Sequence, residues 1–356
     1  MATPKFPKTP VSFHGELKKR IADYFDQKGK APTGNIKLYT KAVILFLLFV
    51  GFYVHLVFFT PVLWLALVES ALFGFVISAI GFNIMHDGAH GSFSRYKWVN
   101  DMASNFANFL GASQHMWKTK HNIIHHTYTN IAGVDDDIEA RPLLRLCDEQ
   151  EHYKIHKYQH YYFPFAYSLL YLWWVFVTDY KKYFSGKIGN IPLRKMTTSE
   201  HVSFWMYKLA HAVLFVAIPI YFVGFMPWLV GFLTMGLVTG FVLSIVFQLA
   251  HTVEHTHFPM PAEATGKMED EWAIHQIKTT ANFATRNKVI SWFCGGLNFQ
   301  IEHHLFPKIS HIHYPQISKI IKQACQEFGI QYVEYPRMTT AIKSHVSYLK
   351  HVGRAA

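Results

Sequence analysis

Residues 62–90 read VLWLALVESALFGFVISAIGFNIMHDGAH. The apolar run Val62 to Ile84, about the length needed to cross roughly 30 Å of hydrocarbon, passes almost directly into His86 and His90. On a helix, positions four apart share a face, so His86 and His90 aim two imidazoles at one point. Two further clusters repeat the pattern. In His121-Asn122-Ile123-Ile124-His125-His126, His121 and His125 converge while His126 turns toward a neighbouring point; in Gln300-Ile301-Glu302-His303-His304, Gln300, His303 and His304 have i, i+3, i+4 spacing. Imidazole ligates iron, zinc, copper and nickel, and these seven histidines exceed what one four- to six-coordinate ion takes. Two metals at the edge of a membrane are the expected arrangement.

Composition agrees with that placement. The 356 residues are 51% hydrophobic and 16% charged, too apolar for an ordinary soluble protein and too wet for a pure membrane bundle. Cys147, Cys294 and Cys325 have neither the spacing of a thiolate metal site nor an even count for disulfides, which suits a reducing compartment and metal held by nitrogen. Met1 to Lys41 is polar and basic, so no cleavable signal peptide is expected there.

Two apolar hairpins are predicted. Ala42 to Phe59 and Val62 to Ile84 flank Thr60-Pro61, and Phe204 to Val223 and Trp228 to Ala250 flank a turn with Gly224 and Pro227. No Lys or Arg occurs from Ala42 to Ser94 or from Leu209 to Gly266, so the positive-inside rule puts both termini, the central loop and all three clusters in the cytosol. The net charge of +11 then reads as attraction to an anionic leaflet, not to nucleic acid. Tyr161 to Val177 is apolar enough for a fifth crossing, but that would put the second and third clusters on opposite sides of the bilayer. It is therefore read as a helix in the interface or one leaflet. Phe13, Leu17, Ile21 and Tyr24 mark an amphipathic helix on the membrane surface.

The fold class expected is an all-α integral membrane protein of one domain: a cytosolic N-terminal segment (1–41), a first hairpin (42–84), a cytosolic loop with two clusters (85–203), a second hairpin (204–250), and a cytosolic cap with the third cluster (251–356). Soluble di-iron bundles use inward-pointing glutamates with Glu-x-x-His repeats, which is not the pattern here, apart from a Glu-x-x-His such as Glu254 to His257. A histidine-rich pair of metals with open positions can activate dioxygen, and the adjoining hydrocarbon suggests a substrate that arrives from lipid.

At these residues the chain resembles a known family. His86 to His90, His121 to His126 continuing into Thr127-Tyr128-Thr129-Asn130, and Gly295 to Pro307 look like the three histidine boxes of membrane fatty acid desaturases. The Gln-led third box and the stretch His275 to Asn282 resemble the front-end and linoleoyl-CoA desaturase branch. The resemblance covers roughly Ala42 to Pro315. It implies a four-span bundle with a cytosolic cap and a non-haem di-iron centre. It also implies dioxygen-dependent insertion of a double bond into an acyl chain carried on coenzyme A or a glycerolipid. The iron ligands implied are His86, His90, His121, His125, His126, His303 and His304, with one more from the end of the fourth span, where His251 is favoured over His255; Gln300 would complete or tune one coordination sphere. Many front-end desaturases carry a fused cytochrome b5 domain with a His-Pro-Gly-Gly motif that is missing here. Electrons are therefore expected from a separate donor such as ferredoxin or free cytochrome b5, drawn by the basic face.

Other residues carry weaker expectations. Asp135, Asp136 and Asp137 either accept the second ring N–H of ligating histidines or form a solvated turn. Glu69, inside the second span, is expected to bond His55 or Tyr53 on the first, and His311 and His313 to have an ordinary surface or packing role. The rivals to a desaturase are a di-iron acyl or alkane hydroxylase, separated by product analysis, and a metal-binding membrane receptor or transporter, disfavoured because the histidines lie at span ends and not at the midplane.

Overall fold

The computed structural model describes residues 4–8 and 12–355 and is mostly helical. Four of its helices are long and apolar enough to cross a membrane: Ile36–Phe59, Leu63–His90, Thr198–Val223 and Phe225–His251. Three contain their expected apolar run whole, the second contains all of its run but Val62, and each extends beyond its run at one end or both. Hydropathy marks only the part that suits lipid, whereas capping sets where a helix starts. Asn35 caps the first span by accepting from the Lys37 N–H at 3.0 Å, and Thr197 with Glu200 forms a capping box ahead of the third.

Packing divides the chain into two compact units. One comprises Asn35–Thr119 and Pro164–Ile245, and the other Met1–Gly34, Lys120–Phe163 and Val246–Ala356.

In the first, which holds most of the four spans, small residues let backbones touch. A Cβ on Gly74 would stand 2.7 Å from the Met235 carbonyl oxygen, and one on Gly240 2.2 Å from that of Ser168. Several charged groups inside the spans have polar partners. His55 Nδ1 lies 2.8 Å from Glu69 Oε2, as the sequence suggests. Lys41 Nζ donates to Asn83 Oδ1 at 2.6 Å, tying the first span to the turn before His86. Lys208 reaches Asp179 at 2.9 Å and the Gly111 and Val175 carbonyls. The aromatic stretch Tyr161 to Val177 is broken into short pieces, Gln159–Ser168 with Pro164 inside it, Leu170–Trp173 and the π turn Trp174–Thr178, none of them long enough to cross. Ser244 bonds its Tyr167 carbonyl at 3.1 Å.

The second unit corrects one expectation. The helix Phe13–Lys28 is amphipathic, but its apolar face does not lie on lipid. Phe13, Leu17, Ile21 and Phe25 are buried in a protein core with Ile301, Leu305, Tyr314, Ile317 and Ile321. Amphipathicity identifies a face that must be covered and is silent on what covers it. The helix thereby braces the short helix Gln300–Leu305, which carries the third histidine cluster. His313 packs edge-on against Phe25, its ring 5.1 Å away.

Candidate metal centre

Within the second unit, His121, His125, His126, His251, His303 and His304 are all buried together. His125, His251 and His304 form one focus, with ring centroids 4.8, 4.9 and 5.0 Å apart. His126 lies 4.8 Å from His121 and 4.6 Å from His303, forming a second. His126 stacks on His304 at 4.4 Å and so links them.

The second cluster reaches this arrangement by a route the spacing argument did not contain. Residues Thr119–His125 form a π turn, not an α-helix. Its i→i+5 pattern widens the turn, and His126, five residues beyond His121, comes back to it with the two Nε2 atoms 3.3 Å apart. His121 and His125 still stack, 5.3 Å apart.

Outer partners hold the rings. His125 Nδ1 lies 2.9 Å from Asp135 Oδ2, with both side chains fully buried, and Asp135 also accepts from the Asn130 N–H. His304 Nδ1 meets Gln276 Oε1 at 2.8 Å and Thr129 Oγ1 at 3.2 Å; His303 Nδ1 meets the Tyr314 hydroxyl at 3.1 Å; His251 Nδ1 meets the Thr279 carbonyl at 3.3 Å. An Nδ1 fixed in this way leaves Nε2 as the ligating atom, the usual outer shell of a histidine metal site. His125 Nε2 is buried with no hydrogen-bond partner among the described residues, as is Gln300 Oε1; Gln300 Nε2 lies 3.1 Å from His251 Nε2 and 3.5 Å from His304 Nε2. A buried nitrogen held open at this cost fits a metal ion.

Electrostatics separates His121 from His125. Burial depresses the His121 pKa, against the pull of Asp137 at 3.7 Å, which keeps the ring neutral and able to ligate. Burial acts the same way on His125, but Asp135 and Asp137 outweigh it and raise its pKa. Burial works against the Asp137 charge too, yet Lys120 at 2.5 Å and His121 hold its carboxyl well below the usual range.

In the first unit, His86 and His90 lie one helical turn apart with rings 4.7 Å from each other, as their spacing predicts, and Trp117 stands 5.8 Å from His86. Gly88 between them is required: a Cβ there would fall 2.7 Å from Ala103 Cβ and from the Ser104 nitrogen, on the helix Lys97–Ser104. Of the two histidines at the end of the fourth span, His251 is fully buried in the cluster, whereas His255 is exposed at φ 77° and joins none of these groups. Asp135 and Asp137 touch the histidine rings, while Asp136 lies 3.9 Å from Lys120.

Thr129, Gln276, Thr279 and Tyr314 escaped the sequence reading as site residues. The signal available was the stretch His275 to Asn282, seen as a likeness but not as the floor under His251 and His304.

The fatty acid desaturase family profile matches residues 62–336. The chain belongs to this family. It is 36% identical over 342 residues to the sn-1 linoleoyl-lipid 6-desaturase of Arthrospira platensis, covering 96% of this chain and 92% of that protein. It is 35% identical to the protein of the same description from Synechocystis, covering 97% and 96%. An acyl-lipid (8-3)-desaturase of Physcomitrium patens is 34% identical, covering 96% of this chain and 72% of that protein. The chain is thus a fatty acyl desaturase of the front-end branch, a membrane oxidoreductase of unsaturated fatty acid biosynthesis, as the Gln-led box suggested. The hydroxylase, receptor and transporter alternatives fall away.

Proposed function

We propose that this desaturase introduces a double bond into an acyl chain carried on a glycerolipid, on the carboxyl side of an existing double bond. The carrier and the position are supported by the relatives described as linoleoyl-lipid 6-desaturases. The observation that carries the mechanism is the buried focus of His125, His251 and His304 with Gln300 at its edge. Two iron ions would be held by His86, His90, His121, His125, His126, His251, His303 and His304, with His251 preferred to His255 because only His251 is buried among the others. When bound, the iron pair supplies dioxygen chemistry and takes its electrons from a separate donor, a ferredoxin or free cytochrome b5. The chain's own part is positional. Asp135, Gln276, Thr279 and Tyr314 fix the ring orientations, and the burial of all six rings keeps bulk water from the reacting atoms.

Two hairpins with both termini and the histidine clusters on the cytosolic side complete the reading, supported by the absence of Lys and Arg from both short turns. A tag between Gly224 and Pro227 is expected to be reached from the non-cytosolic side, and one near Gly186 only from the cytosol.

Gas chromatography with mass spectrometry of separated lipid classes, from cells expressing the chain and fed linoleate, tests the activity. A new double bond in glycerolipid chains before any appears in acyl-CoA is expected; appearance first in acyl-CoA overturns the carrier. Gln300→Ala is expected to lose most activity, Gln300→Glu to disturb it by adding charge, and Gln300→His to hold iron yet desaturate poorly. Full iron occupancy with parental turnover in Gln300→Ala would make the residue scaffold.

A further inference from the structure

A cavity of about 340 Å3 lies among the four spans, lined from all of them and well away from His86 and His90. Phe73, its lining residue nearest to His86 along the second span, precedes that histidine by 13 positions, about 20 Å of helix. The volume falls at the lower end of small-molecule sites, roughly 300–1,000 Å3. Leu63 and Val230 on its wall are 68% and 44% exposed, so it opens outward.

The walls are shaped by irregular backbone. Leu56 and Val57 come from the π turn His55–Phe59, and Phe215 from the π turn Val213–Ala217. Pro219 follows the latter. It has no N–H for the carbonyls a turn below, at Leu214 and Phe215. Two side chains on the wall make good the deficit: Tyr53 donates its hydroxyl to the Leu214 carbonyl at 2.7 Å, and Trp228 its indole N–H to that of Phe215 at 2.7 Å. Their donor protons point into the backbone, and what remains toward the cavity is overwhelmingly hydrocarbon.

We infer that this cavity binds one acyl chain of a bilayer lipid, at a site that shares no residue with the histidine clusters. A dry apolar cavity excludes water, and the medium around helices of this hydropathy is hydrocarbon, which identifies the occupant. The two bulged turns and their side-chain caps keep the space open against collapse of the spans onto one another.

The test uses the full chain reconstituted in phosphatidylcholine vesicles containing a phosphatidylcholine with a diazirine at the methyl end of one chain; a parallel arm uses the free fatty acid bearing the same group. After illumination, cross-links are mapped by mass spectrometry. The phospholipid is expected to label Leu67, Phe73 or Met235 several-fold more than Val43 and Leu47, which are exposed on the first span. Gly231→Phe, which fills the cavity, should lower that labelling at least tenfold and leave Val43 and Leu47 unchanged; Val230→Trp at the mouth serves if the first variant does not fold. Lining residues labelled no more than the controls, or labelling that survives filling, overturns the site. Labelling by the free fatty acid alone overturns the bilayer lipid as its occupant.

Discussion

The second and third histidine clusters bring their rings to the same place with different supports. The second rides on a π turn and is backed by carboxylates, Asp135 on His125 and Asp137 beside His121. The third rides on the short helix Gln300–Leu305 and is backed by neutral groups, the Tyr314 hydroxyl on His303 and the Gln276 amide on His304. A carboxylate partner makes an imidazole more basic and a stronger ligand, while a neutral partner fixes direction without adding charge. If both clusters hold metal, the difference predicts affinity from the second and aim from the third.

Removing a ring ignores this distinction. His125→Ala and His303→Ala are both expected to bring desaturation to background while membrane insertion, read by protease protection, is unchanged, because hydropathy and charge set the spans. Loss in one variant only would break the symmetry of the two clusters as ligands. The distinction emerges one layer out. Asp135→Asn should weaken iron retention by about 10- to 100-fold, measured by metal analysis against a graded chelator. Tyr314→Phe should leave iron content close to parental and cut turnover only several-fold. If Tyr314→Phe strips iron as readily as Asp135→Asn, the division between affinity and aim is wrong.

The smallest effect concerns stability. Glu302, between Ile301 and His303, is fully buried, and burial pushes its pKa up to about 7 against the opposing bonds from Tyr332 and Asn282. A carboxyl raised in this way is protonated in the folded state while the unfolded chain ionises near the ordinary value. Its contribution is therefore complete below about pH 4.5 and is lost as pH rises through about 7, a span worth roughly 3 kcal/mol at most. Thermal unfolding followed from pH 5 to 8 is expected to show a falling midpoint in the parent and a flatter profile in Glu302→Gln. Equal slopes would remove Glu302 from the account.

The spans and the three clusters were legible because each follows from a short-range pattern: hydropathy over about twenty residues, or imidazoles one turn apart. His251 over His255 was half legible, since proximity to an apolar span favours burial but does not give the ring's direction. The π turn at Thr119–His125 was not legible, because its residues fit an α-helix equally well and only the surrounding packing selects the wider turn. Nor were Gln276, Thr279 and Tyr314, whose roles depend on segments far apart in sequence meeting in space. The same reason explains the N-terminal helix, whose apolar stripe fits lipid and protein alike.

That helix also fixes an order of events. Its apolar face is complete once Lys28 has been made, yet it packs on Tyr314, Ile317 and Ile321, about 290 residues later. At roughly 5–20 residues per second, the ribosome needs about 15 to 60 s to deliver that surface. Through that interval the helix lacks this part of its core while the four candidate spans are made. The pocket for metal therefore closes only after Tyr314 to Ile321 have been made and have met the Phe13–Lys28 helix.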